Sequence, residues 1–132
     1  MVDDEAMTPT DLNNLADRLF GSIEAGDIGA LAALWADDIV VWRQGGGRER
    51  DKTRGLKVIE WFVDATAERS YEVLDRQIFE GGFVQQHKVH ASGGDGTPLS
   101  FRACLVVKAG ADGLITRIDE YLDPADLVPL TR

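Results

Sequence analysis

Leu12, Leu15, Ala16, Leu19, Phe20 and Ile23 recur at three- and four-residue steps, a spacing that lays one apolar stripe along a helix. Thr8 stands where a cap belongs, Pro9 suits the first helical position, and Asp11 falls in the first turn, where the helix dipole favours an anion. Gly26 supplies the stop. Asp27 then caps a shorter helix whose inner face is Ile28, Leu31, Leu34 and Trp35, ending at Asp37-Asp38 before the β-rich run Ile39, Val40, Val41, Trp42. A third helix comes after a glycine-rich segment. Thr53 is its expected cap, and Val58, Ile59, Phe62, Val63 and Thr66 form a stripe that fades around Glu68-Arg69.

After Ser70 the pattern becomes one of long strands separated by turn signals, which marks an antiparallel meander rather than alternating strand-helix units. The strands read as Tyr71 to Phe79, Phe83 to Ala91, Leu99 to Ala109 and Leu114 to Leu122, joined at Gly81-Gly82, at the Gly93 to Pro98 loop and at Asp112-Gly113. Antiparallel strands this long twist and coil, so the sheet should curl, with three amphipathic helices over its concave face and a cavity inside the cone. Asp123-Pro124 reads as a cap and first-turn proline opening a short terminal helix. The expected organisation is one α+β domain over residues 1–132, with 1–7 as a flexible tail.

Composition narrows the partners. The chain has 132 residues, 44% hydrophobic and 28% charged, enough for one core without a metal or disulfide staple. Its net charge of −9 argues against nucleic acid and anionic membrane, which both demand a cationic footprint. The one cysteine, Cys104, has no partner for an intramolecular bridge, no charged-then-apolar leader opens the chain, and no apolar run nears the roughly 20 residues of a membrane span. A cytoplasmic setting is the expectation. The only basic island, Arg43 to Lys57, inverts the sign of the acidic N-terminal third. Its Gly45-Gly46-Gly47 triplet lacks the Lys-Ser/Thr and the helix start of a phosphate loop.

The series Ala25-Gly26-Asp27, Trp35-Ala36-Asp37-Asp38 and the closing Ile115-Thr116-Arg117-Ile118-Asp119-Glu120-Tyr121-Leu122-Asp123 resembles the nuclear transport factor 2-like superfamily, in its SnoaL-like polyketide-cyclase branch. The resemblance spans about Thr8 to Leu130 and implies the cone-shaped, cystatin-like fold, with a curved antiparallel sheet covered on its concave face by helices. It implies a conical pocket but no single chemistry, because the superfamily holds isomerases, cyclases, dehydratases, epoxide hydrolases and non-catalytic binders. Its functional positions mostly fail to carry over. The steroid isomerases' general-base aspartate falls at Arg43, their oxyanion-hole tyrosine at Leu19, and their neutral aspartic acid near Cys104 or Leu105. The epoxide hydrolases' Arg-x-Asp element is absent, since Arg102 is succeeded by Ala103 and Cys104.

Three side chains remain as candidates for chemistry. Arg43 would offer a fork of donors to a carboxylate, enolate or carbonyl oxygen, or else point to water with the basic loop. His87, sharing a face with Phe83, Gln85, Val89 and Ala91, is the expected proton shuttle, because imidazole titrates near neutrality. Glu120 shares a face with Ile118 and Leu122, where burial would raise its pKa or an arginine would hold it ionised. Leu19, Trp35, Trp42, Phe62, Phe101, Leu105 and Leu122 are the expected pocket lining, although strand alternation alone leaves the facing of Arg43, Trp42 and Glu120 open. No ligand cluster suggests a metal, and no cofactor is expected. Two functions from different classes fit these residues. One is a cofactor-independent isomerase, cyclase, dehydratase or hydrolase acting on a hydrophobic polyketide-, steroid- or terpenoid-like molecule. The other is a ligand-binding or accessory domain without turnover. Val84, Val106 and Trp42 on the uncovered sheet face suggest a homodimer.

Overall fold

The computed structural model describes residues 7–131. The chain runs α1 (Pro9–Ala25), α2 (Ile28–Leu34), β1 (Trp35–Arg43), α3 (Lys52–Ala65), β2 (Thr66–Phe79), β3 (Gly82–Gly93), β4 (Pro98–Ala109) and β5 (Ile115–Leu122), then a terminal 3-10 helix over Pro124–Thr131. Of the expected tail, residues 1–6 lie outside the described residues, and Met7 packs against the core.

The helix ends are built by local hydrogen bonds. At the start of α1 the Thr8 hydroxyl accepts from the Asp11 amide at 3.1 Å, and the Asp11 carboxylate accepts from the Thr8 amide at 3.1 Å, so two otherwise orphaned donors are satisfied reciprocally. Gly26 ends the helix at φ 71°, a left-handed conformation that costs glycine no steric penalty. Asp27 caps α2 through the Ala30 amide at 3.0 Å. The third helix is capped by Asp51 rather than by Thr53: the Asp51 carboxylate accepts from the Arg54 amide at 2.9 Å, which leaves Thr53 inside the first turn. That helix also stops sooner than its apolar stripe suggests. The Thr66 hydroxyl turns back onto the Phe62 carbonyl at 2.7 Å, and the chain leaves as β2.

The five strands form one mixed sheet in the order β1-β5-β4-β3-β2. The meander β2 to β5 is antiparallel as expected, whereas β1 joins β5 in parallel, pairing Arg43 with Glu120. An irregularity between Val73 and Asp75 resets the facing of β2. Tyr71 and Arg76 are an odd number of residues apart, so strict alternation would put them on opposite faces, and the bulge brings both to the inner one. That face presents Phe83, Val89, Phe101, Leu105, Val107, Ile118 and Leu122 to Leu12, Leu15, Leu19, Phe20 and Ile23 of α1, all buried. At ~1.5–3 kcal/mol for each large apolar side chain fully buried, this contact is the main source of stability.

The β2–β3 turn shows how closely the strands approach. Gly81 takes φ 88°, and at Gly82 an added methyl would strike the Val107 carbonyl oxygen and the Phe79 ring. Gly82→Ala should therefore cost more than about 2 kcal/mol in chemical denaturation. Gly94→Ala, where nothing lies within 4 Å, should stay within ~0.5 kcal/mol of wild type.

Candidate functional site

Cross-strand register gathers four polar residues of the inner face into one row. Arg43 of β1 pairs with Glu120 of β5, Glu120 with Leu105 of β4, Leu105 with Gln85 of β3, and Gln85 with Arg76 of β2. Four of these five residues are polar, on a face otherwise made of aliphatic and aromatic side chains. The adjoining row sets His87 beside Ala103, and Ala103 beside Leu122. Tyr71 belongs to the next, beside Val89 and Phe101.

His87 is wholly buried. Its ring lies nearly perpendicular to Tyr71 (centroids 4.8 Å apart, 82° between planes) and to Phe20 (5.1 Å, 69°). Its Nδ1 is 3.0 Å from Gln85 Nε2. Gln85 is itself held, because Arg76 Nε donates to Gln85 Oε1 at 2.7 Å, while Arg76 Nη1 donates to Asp17 Oδ1 at 2.9 Å and to Asn13 Oδ1 at 3.3 Å. His87 Nε2 has no protein partner among the described residues. Burial disfavours the imidazolium and lowers the His87 pKa to about 4.

Glu120 sits at the other end of the polar row. Burial pushes its carboxyl up, and the Arg43 guanidinium beside it partly opposes that rise. The two do not form an ion pair among the described residues, yet they are paired in register. Glu120 nevertheless keeps some accessible surface, as do Arg43 and Tyr71. The Tyr71 hydroxyl is raised well above the usual phenol range, first by burial and then by Glu120 and Glu24, which brings Tyr71 into the same electrostatic neighbourhood. Arg43 also opens outward, onto a depression of about 330 Å³ shared with Lys57, Val58 and Trp61 of α3.

Arg43, His87 and Glu120 thus all belong to the inner face. Leu19, Trp35, Phe62, Phe101, Leu105 and Leu122 are buried in its wall. Trp42 is a correction. Its parity is opposite to that of Arg43 and its register partner is Asp119, so it stacks on Tyr121 at 5.2 Å and lines an outer depression with Arg117. On that outer face Arg117 donates to both oxygens of Asp119, at 2.9 and 3.0 Å. His90 also lies away from the interior, bonded to Ser100 and Glu72. Asp123 serves as a cap, accepting from the Ala125 amide at 3.0 Å. Sequence reasoning missed Tyr71, Gln85 and Arg76. Gln85 was visible as the polar neighbour on His87's own face, but Arg76 comes inside only through the β2 bulge. Among the described residues, no group of three His, Cys, Asp or Glu could hold a metal ion, and no helix is long and apolar enough to cross a membrane.

The family model of the SnoaL-like domain matches residues 16–118. Comparison with curated proteins returned no match. Among solved structures, PrhC from Penicillium brasilianum NBRC 6234 superposes with a TM-score of 0.81 at 18% identity, covering 94% of this chain and 87% of that one. An LEH-like epoxide hydrolase of M. tuberculosis gives 0.75 at 18% identity, over 94% and 88%. The epoxide hydrolase/cyclase-like enzyme SalBIII, of pyran ring formation in the polyether salinomycin, gives 0.76 at 13% identity, over 89% and 94%.

The depressed His87 pKa makes stability depend on pH. Below the ordinary imidazole value near 6.5 the unfolded chain takes up a proton that the folded chain refuses until about pH 4. Stability should therefore be intact above pH 6.5 and fall as the pH drops from there to about 4, by on the order of 3 kcal/mol from this group. The Tm of His87→Leu, tracked over the same range, should fall less steeply than that of wild type.

Proposed function

The chain belongs to the SnoaL-like domain family, and from that premise we propose that it is a cofactor-independent acid/base enzyme. Its substrate is a small hydrophobic molecule of polyketide, steroid or terpenoid type bearing a carbonyl or epoxide oxygen. The observation that carries this reading is the polar row across an apolar inner face, with Glu120 desolvated beside Arg43. Burial brings the carboxyl closer to the range in which it exchanges protons efficiently at neutral pH. Arg43 cannot accept a proton, but its guanidinium stabilises negative charge developing on a substrate oxygen. Glu120 moves the proton, Arg43 holds the oxygen, and the aliphatic and aromatic wall orders the rest of the molecule.

Entry is assigned to the depression at Arg43, Lys57, Val58 and Trp61, where the indole is 37% exposed. The architecture shared with an epoxide hydrolase and with SalBIII supports isomerisation, cyclisation, dehydration or epoxide opening as the class of reaction. A second reading, binding without turnover, draws on the replacement of the steroid isomerases' polar positions by Arg43, Leu19 and Cys104 or Leu105. We place the protein in the cytoplasm, a compartment that keeps a free thiol such as Cys104 reduced, and read residues 1–132 as one domain.

Thermal-shift screening against steroids, polyketides and terpenoids should yield binders, and product analysis should show at least one of them chemically changed. Glu120→Gln should then lower kcat/KM by at least ~10²-fold with KM little affected. Binders recovered unchanged in every case, or a Glu120→Gln variant within about tenfold of wild type, would overturn the enzyme assignment.

The outer sheet face supports a homodimer. Trp42, Asp119, Val106 and Val84 form one cross-strand row there, and Tyr121 is 45% exposed beside Trp42. Light scattering at micromolar concentration should give twice the chain mass, and Val106→Arg should give a folded monomer.

A further inference from the structure

The relay beneath α1 decides which nitrogen of His87 carries the proton. A guanidinium offers only donors, so the Gln85 atom 2.7 Å from Arg76 Nε is the carbonyl oxygen, and the amide end 3.0 Å from His87 Nδ1 is the NH2 group. Turning the amide over would set NH2 against guanidinium at a side chain with no exposure to solvent. Arg76 cannot turn instead, because Asp17 and Asn13 of α1 hold its outer nitrogen. Nδ1 therefore accepts, and the proton of the neutral ring resides on Nε2. That N–H is fully buried and unpartnered among the described residues, beside Ala103, the smallest side chain on that stretch of β4.

We propose that Arg76 and Gln85 are positioning residues that lock His87 as a neutral donor, so that the interior takes a ligand presenting an oxygen acceptor to Nε2. The ligand part rests on the enzyme reading of the site; the tautomer does not. His87 is then no proton shuttle. Nε2 already bears its hydrogen, and protonating Nδ1 would break the Gln85 bond. Proton transfer falls to Glu120, and His87 discriminates in favour of carbonyl, epoxide or ether oxygens and against groups that only donate.

Tyr71 of β2 is the titratable side chain packed on the imidazole; one step further out, Arg76 of β2 and Asp17 of α1 lie beyond Gln85, Glu24 of α1 and Glu120 of β5 act on Tyr71, and β4 presents Phe101, Ala103 and Leu105. No carboxylate among the described residues is bonded to the ring, and burial alone governs its titration.

The chain has two histidines, so long-range proton–nitrogen spectra of the uniformly 15N-labelled protein resolve His87, with half-exposed His90 as an internal reference. His87 should show a pyrrole-like Nε2 and a pyridine-like Nδ1, unchanged from neutral pH down to about pH 5. Gln85→Glu replaces the donor facing Nδ1 by an acceptor. It should move the proton to Nδ1 or charge the ring, raising the proton affinity of His87 at least ~tenfold. A wild-type His87 protonated on Nδ1, a wild-type His87 carrying both protons at about pH 6, or an unchanged nitrogen pattern in Gln85→Glu would overturn the proposal. The wild-type spectrum decides the tautomer even if the variant fails to fold. A chain with this tautomer that turns over no compound keeps the relay and loses the enzyme reading; the opposite pair of results loses the relay alone.

Discussion

A sheet roofed by a helix gives its most deeply buried residues no route to water, so each polar group there must be answered by another polar group within reach. The rest of this molecule depends on how that requirement is met. On the β2–β3 side it is met by a chain of bonds that starts at Asp17 on the exposed flank of α1 and ends on an imidazole with no exposure at all. On the β5–β1 side it is met incompletely. Glu120 is desolvated beside Arg43 without a close ion pair, an arrangement that would be wasteful in a purely structural sheet.

The two ends of the inner face therefore have different characters. One is rigid, because four side chains specify one another's orientation. The other keeps a cation and an acid whose remaining hydrogen-bonding capacity is uncommitted. Tyr71 links them, packed against His87 at 4.8 Å and electrostatically coupled to Glu120. Fixed donors beside an adjustable acid suit chemistry in which an oxygen stays put while a proton moves.

Local signals exposed most of the fold. The stripe of α1, its Thr8–Asp11 start, its Gly26 stop and the turns of the meander each depend on residues a few positions apart. The parallel β1–β5 pair was not legible, since it joins segments separated by most of the chain, and nothing near Trp35 or Ile115 announces the other. The site was half legible for a related reason. Alternation grouped His87 with Phe83, Gln85 and Val89, and Glu120 with Ile118 and Leu122, but left the facing of Glu120 open. It failed for Arg76, because one extra residue between Val73 and Asp75 inverts the parity of everything after it, and a bulge leaves no composition signal here. Asp51 displaced Thr53 as a cap because both are acceptable residues and only the backbone path chooses between them.

The parallel pair also sets the order in which the polypeptide can assemble. Among the described residues β1 has a single strand neighbour, and that neighbour is β5, the last of the five strands in chain order. Val41 can exchange both its backbone bonds with Arg50 early, but the groups of Trp35–Arg43 that pair with β5 have no strand partner until Ile115–Leu122 is in place. Closing so long a loop is entropically costly and places this step late, behind the hairpins β2 to β5. Until that pairing forms, β1 leaves an open strand edge, the kind of surface that pairs with other chains and favours aggregation.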